Sequence, residues 1–395
     1  MAVALAGRPL LFATVTTTAS ISPLFLVGAQ AVQIGADLRL SPATLGNAVA
    51  LFFGLTALSS ATLGRLVERA GVRVSLVATM VVSCASLAGV AAAQSVVHLA
   101  LALAVGGLAN GAVHPSTNKL LSAESARVPL GLSMGVKQSA PALAGLLAGL
   151  AVPAVALTVG WRWSFLAAAV PTFLLVFAAA RVAPQEPREA RPVRGGGIAG
   201  PRLLVVVAVG AGCGGAAGNS LGTFLVDYGA NGAGVAEGAA GLTLAVASGM
   251  GLLGRIGAGM LMDRPRGPGP VPLTVGLLIA GTVGHLLVGT GNTVAYVAGA
   301  IVAYGLGWAW SGLLHYAVVV GHPAGAARAT GVLMTGFASG GFLGPLVLGH
   351  VAHAVGYQVL WVTTAVLSAV SAVLLWCVHR IAESERGSGH GVVAP

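Results

Sequence analysis

Gly64-Arg65-Leu66-Val67-Glu68-Arg69-Ala70-Gly71-Val72-Arg73 is a short island of charge between two long apolar stretches, near 43–66 and 73–93. Gly64 removes bulk where two helices can meet, and Glu68 stands one turn further on, at the edge of the apolar run. An acid in that place can face the positive N-terminal end of another helix. Arg69 and Arg73, one turn apart, can pair with it. A related island recurs in the second half of the chain, where Gly254-Arg255 leads through Gly259 to Met260-Leu261-Met262-Asp263-Arg264. One arrangement used once in each half points to a duplicated architecture.

The surrounding composition fixes the medium. Of 395 residues 56% are hydrophobic and 8% charged, whereas a soluble domain carries roughly a quarter charged residues. Mean hydropathy is +0.91. The apolar residues fall in runs of about twenty, the length of a bilayer-spanning helix, without the alternation of a membrane barrel. The reading is an all-α integral membrane protein with twelve transmembrane helices in two six-helix, pseudo-symmetric bundles. The first run, Leu10 to about Ile34, is too long for a signal-peptide core and reads as the first span. A net charge of +10 does not point to nucleic acid, because the basic residues are scattered between apolar runs, not gathered in a patch. Cys84, Cys213 and Cys377 all fall in spans without ligand-like spacing, so neither a disulfide framework nor a zinc site is expected, and no cofactor.

Pro, Gly and charge clusters place spans near 9–34, 43–66, 73–93, 97–121, 129–157 and 162–181, then 203–227, 237–262, 271–289, 293–320, 329–355 and 359–379. The expected domains are an N-terminal bundle (1–180), a linker loop (181–202), a C-terminal bundle (203–380) and a tail (381–395). Seventeen of the twenty basic residues, Arg255 among them, are assigned to one side, against Arg39 and Arg162 on the other and Lys137 within a span. By the positive-inside rule both termini are expected to be cytoplasmic. Scarce lysine beside abundant Ala, Gly, Val and Arg reads as a bacterial coding bias, which makes the expected membrane a bacterial inner membrane. His114 and His315 fall late in the fourth and tenth spans, and Arg127 with Gly131 opens the fifth span as Arg328 with Gly331 opens the eleventh.

The first charged island resembles the signature loop of the major facilitator superfamily, G-x-L-x-(D/E)-R-x-G-x-(R/K), and the second resembles its repeat. The resemblance covers essentially the whole chain. It implies that Glu68 engages the start of the eleventh span and Asp263 that of the fifth. Gly64, Glu68, Arg69, Arg73, Gly259, Asp263 and Arg264 would then be a cytoplasmic latch, broken when the bundles rock apart. The plainer reading makes these residues positive-inside anchors only. Other family patterns are degraded: the fourth span has Asn110-Gly111 with Gly107 where relatives carry an arginine. Gly131-x-x-x-Gly135, Pro141-x-x-Ala144-Gly145 and Gly340-x-x-x-Gly344-Pro345 read as helix-packing positions.

The acids, Asp37, Glu68, Glu124, Glu186, Glu189, Asp227, Glu237, Asp263, Glu383 and Glu385, all fall at span ends or in loops. Lys137, in Gly135-Val136-Lys137-Gln138-Ser139, is the one full charge expected well inside a span. A cation there costs roughly 3 kcal/mol and usually faces a cavity or a partner. With His114, Asn118 and Gln138 it reads as a hydrogen-bonding site for an anionic group. A structural pairing of Lys137 with Glu124 or a backbone carbonyl is the alternative. Thr17, among the hydroxyls of the first span, and Asn219, in the seventh, are candidate path residues, though hydroxyls also bond back to their own helices. Trp308, like Trp310, Tyr304 and Tyr316, offers stacking or core packing. His315 and His114 are candidate proton carriers, His285 reads as facing a neighbouring helix, and His350 with His353 as a poor metal pair.

These features select a secondary transporter working by alternating access on a small organic solute, expected to be an organic anion such as a carboxylate. Proton symport and uniport both remain open. The rival is proton-coupled efflux of drugs or a secondary metabolite, which the lack of intramembrane acids disfavours. The short central loop gives a receptor no signalling domain. An enzyme would need a convergent catalytic cluster, and neither an HExxH, a serine elbow nor paired deep acids occur. The expected partners are the small-molecule substrate, protons as a candidate coupling ion, and the lipid bilayer, with the protein a monomer.

Overall fold

Backbone groups in a bilayer must be satisfied within the segment that carries them, and a run of apolar residues meets that demand by coiling. The computed structural model describes residues 7–122, 128–182, 200–264, 269–322 and 325–388, and among these it is helical throughout, with no strand. The helices are α1 (Arg8–Ala29), α2 (Ala31–Leu38), α3 (Pro42–Ala91), α4 (Val96–Ser122), α5 (Leu130–Lys137), α6 (Ala140–Ala151) and α7 (Trp161–Ala180). The second half holds α8 (Pro201–Asn231), α9 (Glu237–Met262), α10 (Pro270–Val288), α11 (Thr293–Gly305), α12 (Ser311–Gly321), α13 (Ala326–Val355) and α14 (Tyr357–Ser388). Among the described residues eleven stretches are long and apolar enough to cross a membrane; α11 and α12 are shorter apolar helices that fall in the expected tenth span. Phe173, Leu174, Leu253 and Val373 are large, apolar and exposed, as suits side chains facing lipid.

Three local departures from the sequence reading matter. The loop expected after the second span is absent: α3 runs through it with a single break at Gly71, whose φ of 82° and ψ of 162° suit only glycine. That one residue marks the turn between the second and third spans. The fifth span, expected to be continuous, is broken at Gln138–Ser139 between α5 and α6 and then passes through a π-turn at Val152–Ala156. Pro141 accounts for the break, because it has no N–H for the Lys137 carbonyl. The tenth span is likewise interrupted, at 306–310, between α11 and α12. Most of the expected 181–202 linker, and Glu124 and Arg127, lie outside the described residues.

The two halves meet along unequal seams. The fifth and eighth spans touch along their full length: Gly149 lies against Gly241, Gly135 against the Arg255 carbonyl and Gly131 against Gly259. A β-carbon at Gly135 would stand 2.5 Å from that carbonyl oxygen, so only glycine permits this approach. The second and eleventh spans touch at the end away from the charged islands, where Gly46 packs on Pro345 and Gly349, and Gly54 on Phe342. At the basic end this seam has parted. Among the described residues Gly64 has only Pro115 of its own half nearby, and nothing stands within 4 Å of a β-carbon at Gly331. At the far end Gly28 closes on Gly222 and Thr223, and Gln33 donates to Glu237 at 2.6 Å.

Candidate functional site

The break in the fifth span places Lys137 as the last residue of α5, with Gln138 as its cap. The negative end of the α5 dipole therefore lies beside the ammonium. Lys137 is 7% exposed and donates from Nζ to Asn118 Oδ1 on α4. Among the described residues no carboxylate stands within ion-pair distance of it. His114 stands one turn before Asn118 on α4 and is half-buried.

Gln138 turns the other way and crosses between the halves. Its Nε2 lies 3.2 Å from His315 Nδ1 on α12, while the same Nδ1 lies 2.7 Å from the Ser311 carbonyl. A proton on Nδ1 is donated to the carbonyl, whereas a bare Nδ1 accepts from the Gln138 amide. His315 Nε2 is 3.1 Å from Met334 Sδ. The structure thus gathers Lys137, Asn118, Gln138, His114 and His315 from the fourth, fifth and tenth spans.

Thr17 and Asn219 do not join this set. Thr17 bonds to the Ala13 carbonyl at 2.7 Å and Asn219 to the Gly215 carbonyl at 2.8 Å, each on its own helix. The first span reaches the break differently. Thr14 and Thr18 return to their own helix, and their hydroxyls also lie 3.4 and 3.3 Å from the Val136 and Ala140 carbonyls. They tie α1 to both sides of the break.

Arg255 corrects the sequence reading, which counted it among basic residues of the helix ends and left Lys137 as the one charge at depth. Arg255 is 2% exposed, inside α9. Its guanidinium carbon lies 5.2 Å from the centre of the Trp308 ring. Trp308, in the interruption of the tenth span, also meets Tyr304 edge-on at 5.0 Å and Phe25 of the first half at 6.2 Å. The available signal was distance along the helix: Arg255 precedes Asp263 by more than two turns, about 12 Å of rise.

At the basic end, Asp263 Oδ1 accepts the Gly131 N–H at 2.9 Å and Oδ2 that of Leu132 at 2.8 Å. A carboxylate there satisfies donors that open the α5 helix and meets its positive end. The Glu68 side chain makes no hydrogen bond or ion pair among the described residues, and Glu68, Arg69, Arg73 and Arg264 are exposed. His285 is buried against Trp361, their rings 6.5 Å apart, and His350 bonds to the Leu346 carbonyl. A hollow of about 660 Å³ lies between α8, α13 and α14 and is lined mainly by apolar groups such as Val209, Gly212 and Leu343. It belongs to the outward face and holds none of the residues around Lys137.

A family model described as Major Facilitator Superfamily matches residues 10–345. No curated protein matches the chain. Among solved structures, a bacterial homolog of the human lysosomal transporter Spinster, inward-facing and unoccupied, is similar at a TM-score of 0.71 and 16% identity. That match covers 95% of this chain and 97% of the other. The occupied, inward-facing form is similar at 0.70 and 17%, covering 94% and 96%. At such identities the likeness carries the fold alone.

Proposed function

The chain belongs to the major facilitator superfamily and is a multi-pass membrane transporter, and on that premise we propose that it moves a small organic anion, a carboxylate, by alternating access. The observation that carries this is Lys137: a buried ammonium, bonded to Asn118, with no carboxylate beside it among the described residues. A charge in that position is costly unless a counter-charge arrives. A substrate carboxylate supplies one and forms a charge-assisted hydrogen bond in a low-dielectric setting. The start of α6, three residues beyond Lys137, adds a positive helix end at the same break.

His114, Gln138 and Asn118 complete the binding group, and His315 links it to the second half. Protonation of His315 exchanges the Gln138 contact for the Ser311 carbonyl, which gives a proton a way to bias the seam between halves. We read the basic end as cytoplasmic, in the inner membrane, with the protein acting as a monomer. In that orientation the parted second–eleventh seam opens towards the cytoplasm, and Asp263 is the engaged half of the latch.

Counterflow in proteoliposomes tests the proposal. Purified protein preloaded with an organic anion should accumulate labelled carboxylate, and organic cations should not replace it. Exchange of cations or neutral drugs without anions contradicts it and favours the efflux alternative.

A further inference from the structure

Arg255 is the second buried cation, and the anion reading above does not use it. Its guanidinium has five N–H donors. One of them, on Nη1, reaches the Gly251 carbonyl at 3.2 Å, and Nε has no partner. No carboxylate lies within ion-pair distance among the described residues. Stacking on Trp308 covers one face of the group but satisfies none of its in-plane donors.

The latch contact fixes where Arg255 stands relative to Lys137. Asp263 binds the Gly131 N–H, so the eighth and fifth spans share an origin at the basic end. Lys137 lies six residues beyond Gly131 and Arg255 eight residues before Asp263, or about 9 and 12 Å into the bundle. The two helices touch at that level, Gly135 against the Arg255 carbonyl. Their side chains then diverge: Lys137 reaches Asn118 in the first half, and Arg255 reaches Trp308 in the second. Each half thus presents, at nearly one depth, a buried cation with no carboxylate beside it among the described residues.

We propose that the substrate is a dianion, with one carboxylate taken by Lys137 and a second by Arg255, the aromatic face of Trp308 lying beside the second. This rests on the anion reading and narrows it to dicarboxylates. Two-point binding draws the halves onto one ligand, which links occupancy to their rocking.

The test is binding by detergent-purified protein of succinate, glutarate and adipate, each against the monocarboxylate of equal length. The wild type should prefer at least one dicarboxylate by about tenfold, as expected for one more charged contact. Arg255→Gln should remove that preference while leaving monocarboxylate affinity nearly unchanged, and Arg255→Lys should restore part of it. Should Arg255→Gln fail to fold, Arg255→Lys decides, since an ammonium keeps the charge but loses the planar fork and should reduce the preference selectively. Equal wild-type affinity for both classes, or equal losses for both in the variants, contradicts the second-charge assignment and leaves the Lys137 reading standing. Binding of neither class contradicts both.

Discussion

Asp263 accepts the backbone N–H of Gly131 at 2.9 Å, joining the end of the eighth span to the start of the fifth. Among the described residues its counterpart Glu68 makes no such bond to the eleventh span. The basic end is thus held on one seam and parted on the other. If Asp263 stabilises closure of its seam, Asp263→Asn should shift the population towards opening at that end, by about 1 kcal/mol or several-fold. Glu68→Gln should leave folding intact and shift it less. Distances between spin labels on the loops at the basic end measure this. Identical distributions in both variants and the wild type would reduce the two acids to topology anchors.

Gly135 tests the closed seam by bulk. A side chain there meets the Arg255 carbonyl at 2.5 Å and Gly259 Cα at 3.3 Å. Gly135→Val should cost about 1–3 kcal/mol through overpacking, seen as a lower melting temperature, and transport should fall with it. A melting temperature equal to the wild type would mean that the fifth and eighth spans do not rely on this approach.

Topology is checked independently. With both termini and the 181–202 loop cytoplasmic, single cysteines placed there should resist impermeant reagents in right-side-out vesicles, while a cysteine beside Arg39 should react. Labelling of the 181–202 loop from outside would invert the assignment.

The opposite end offers a pH test. Arg162 holds the Asp37 carboxyl below its usual value, Trp161 adds a hydrogen bond at 3.2 Å, and both groups are substantially exposed. A lowered folded-state value stabilises above the unfolded value, near 3.9, and the effect is lost as pH falls through the folded one. An exposed pair contributes ~0–1 kcal/mol. The thermal advantage of the wild type over Asp37→Asn should therefore be small and level from neutral pH to about 5, then vanish in stronger acid. An advantage that persists in strong acid would assign it to packing.

Much of the fold was legible because bilayer thickness acts on composition alone, and the Gly64–Arg73 island with its repeat pointed to the architecture. The breaks were not. Pro141 was read as a packing position, although its missing N–H breaks the helix, and the interruption at 306–310 lies where no local pattern announces it. Lys137 could be singled out because lysine is scarce and it lies mid-run, whereas Arg255 was taken for part of the charge cluster closing its helix. Thr17 and Asn219 looked like path residues by type. Whether such groups face a path or their own carbonyls is decided by rotamers, which sequence does not display.

The central claim is that Lys137 is a substrate-binding ammonium, and the direct measurement is anion binding and melting temperature on the same purified variants. Lys137→Gln should abolish or greatly weaken carboxylate binding at a near wild-type melting temperature, and Lys137→Arg should keep part of it. A structural ion pair would instead lose stability together with binding, because a buried acid would be left uncompensated. Full carboxylate binding by Lys137→Gln would contradict the account.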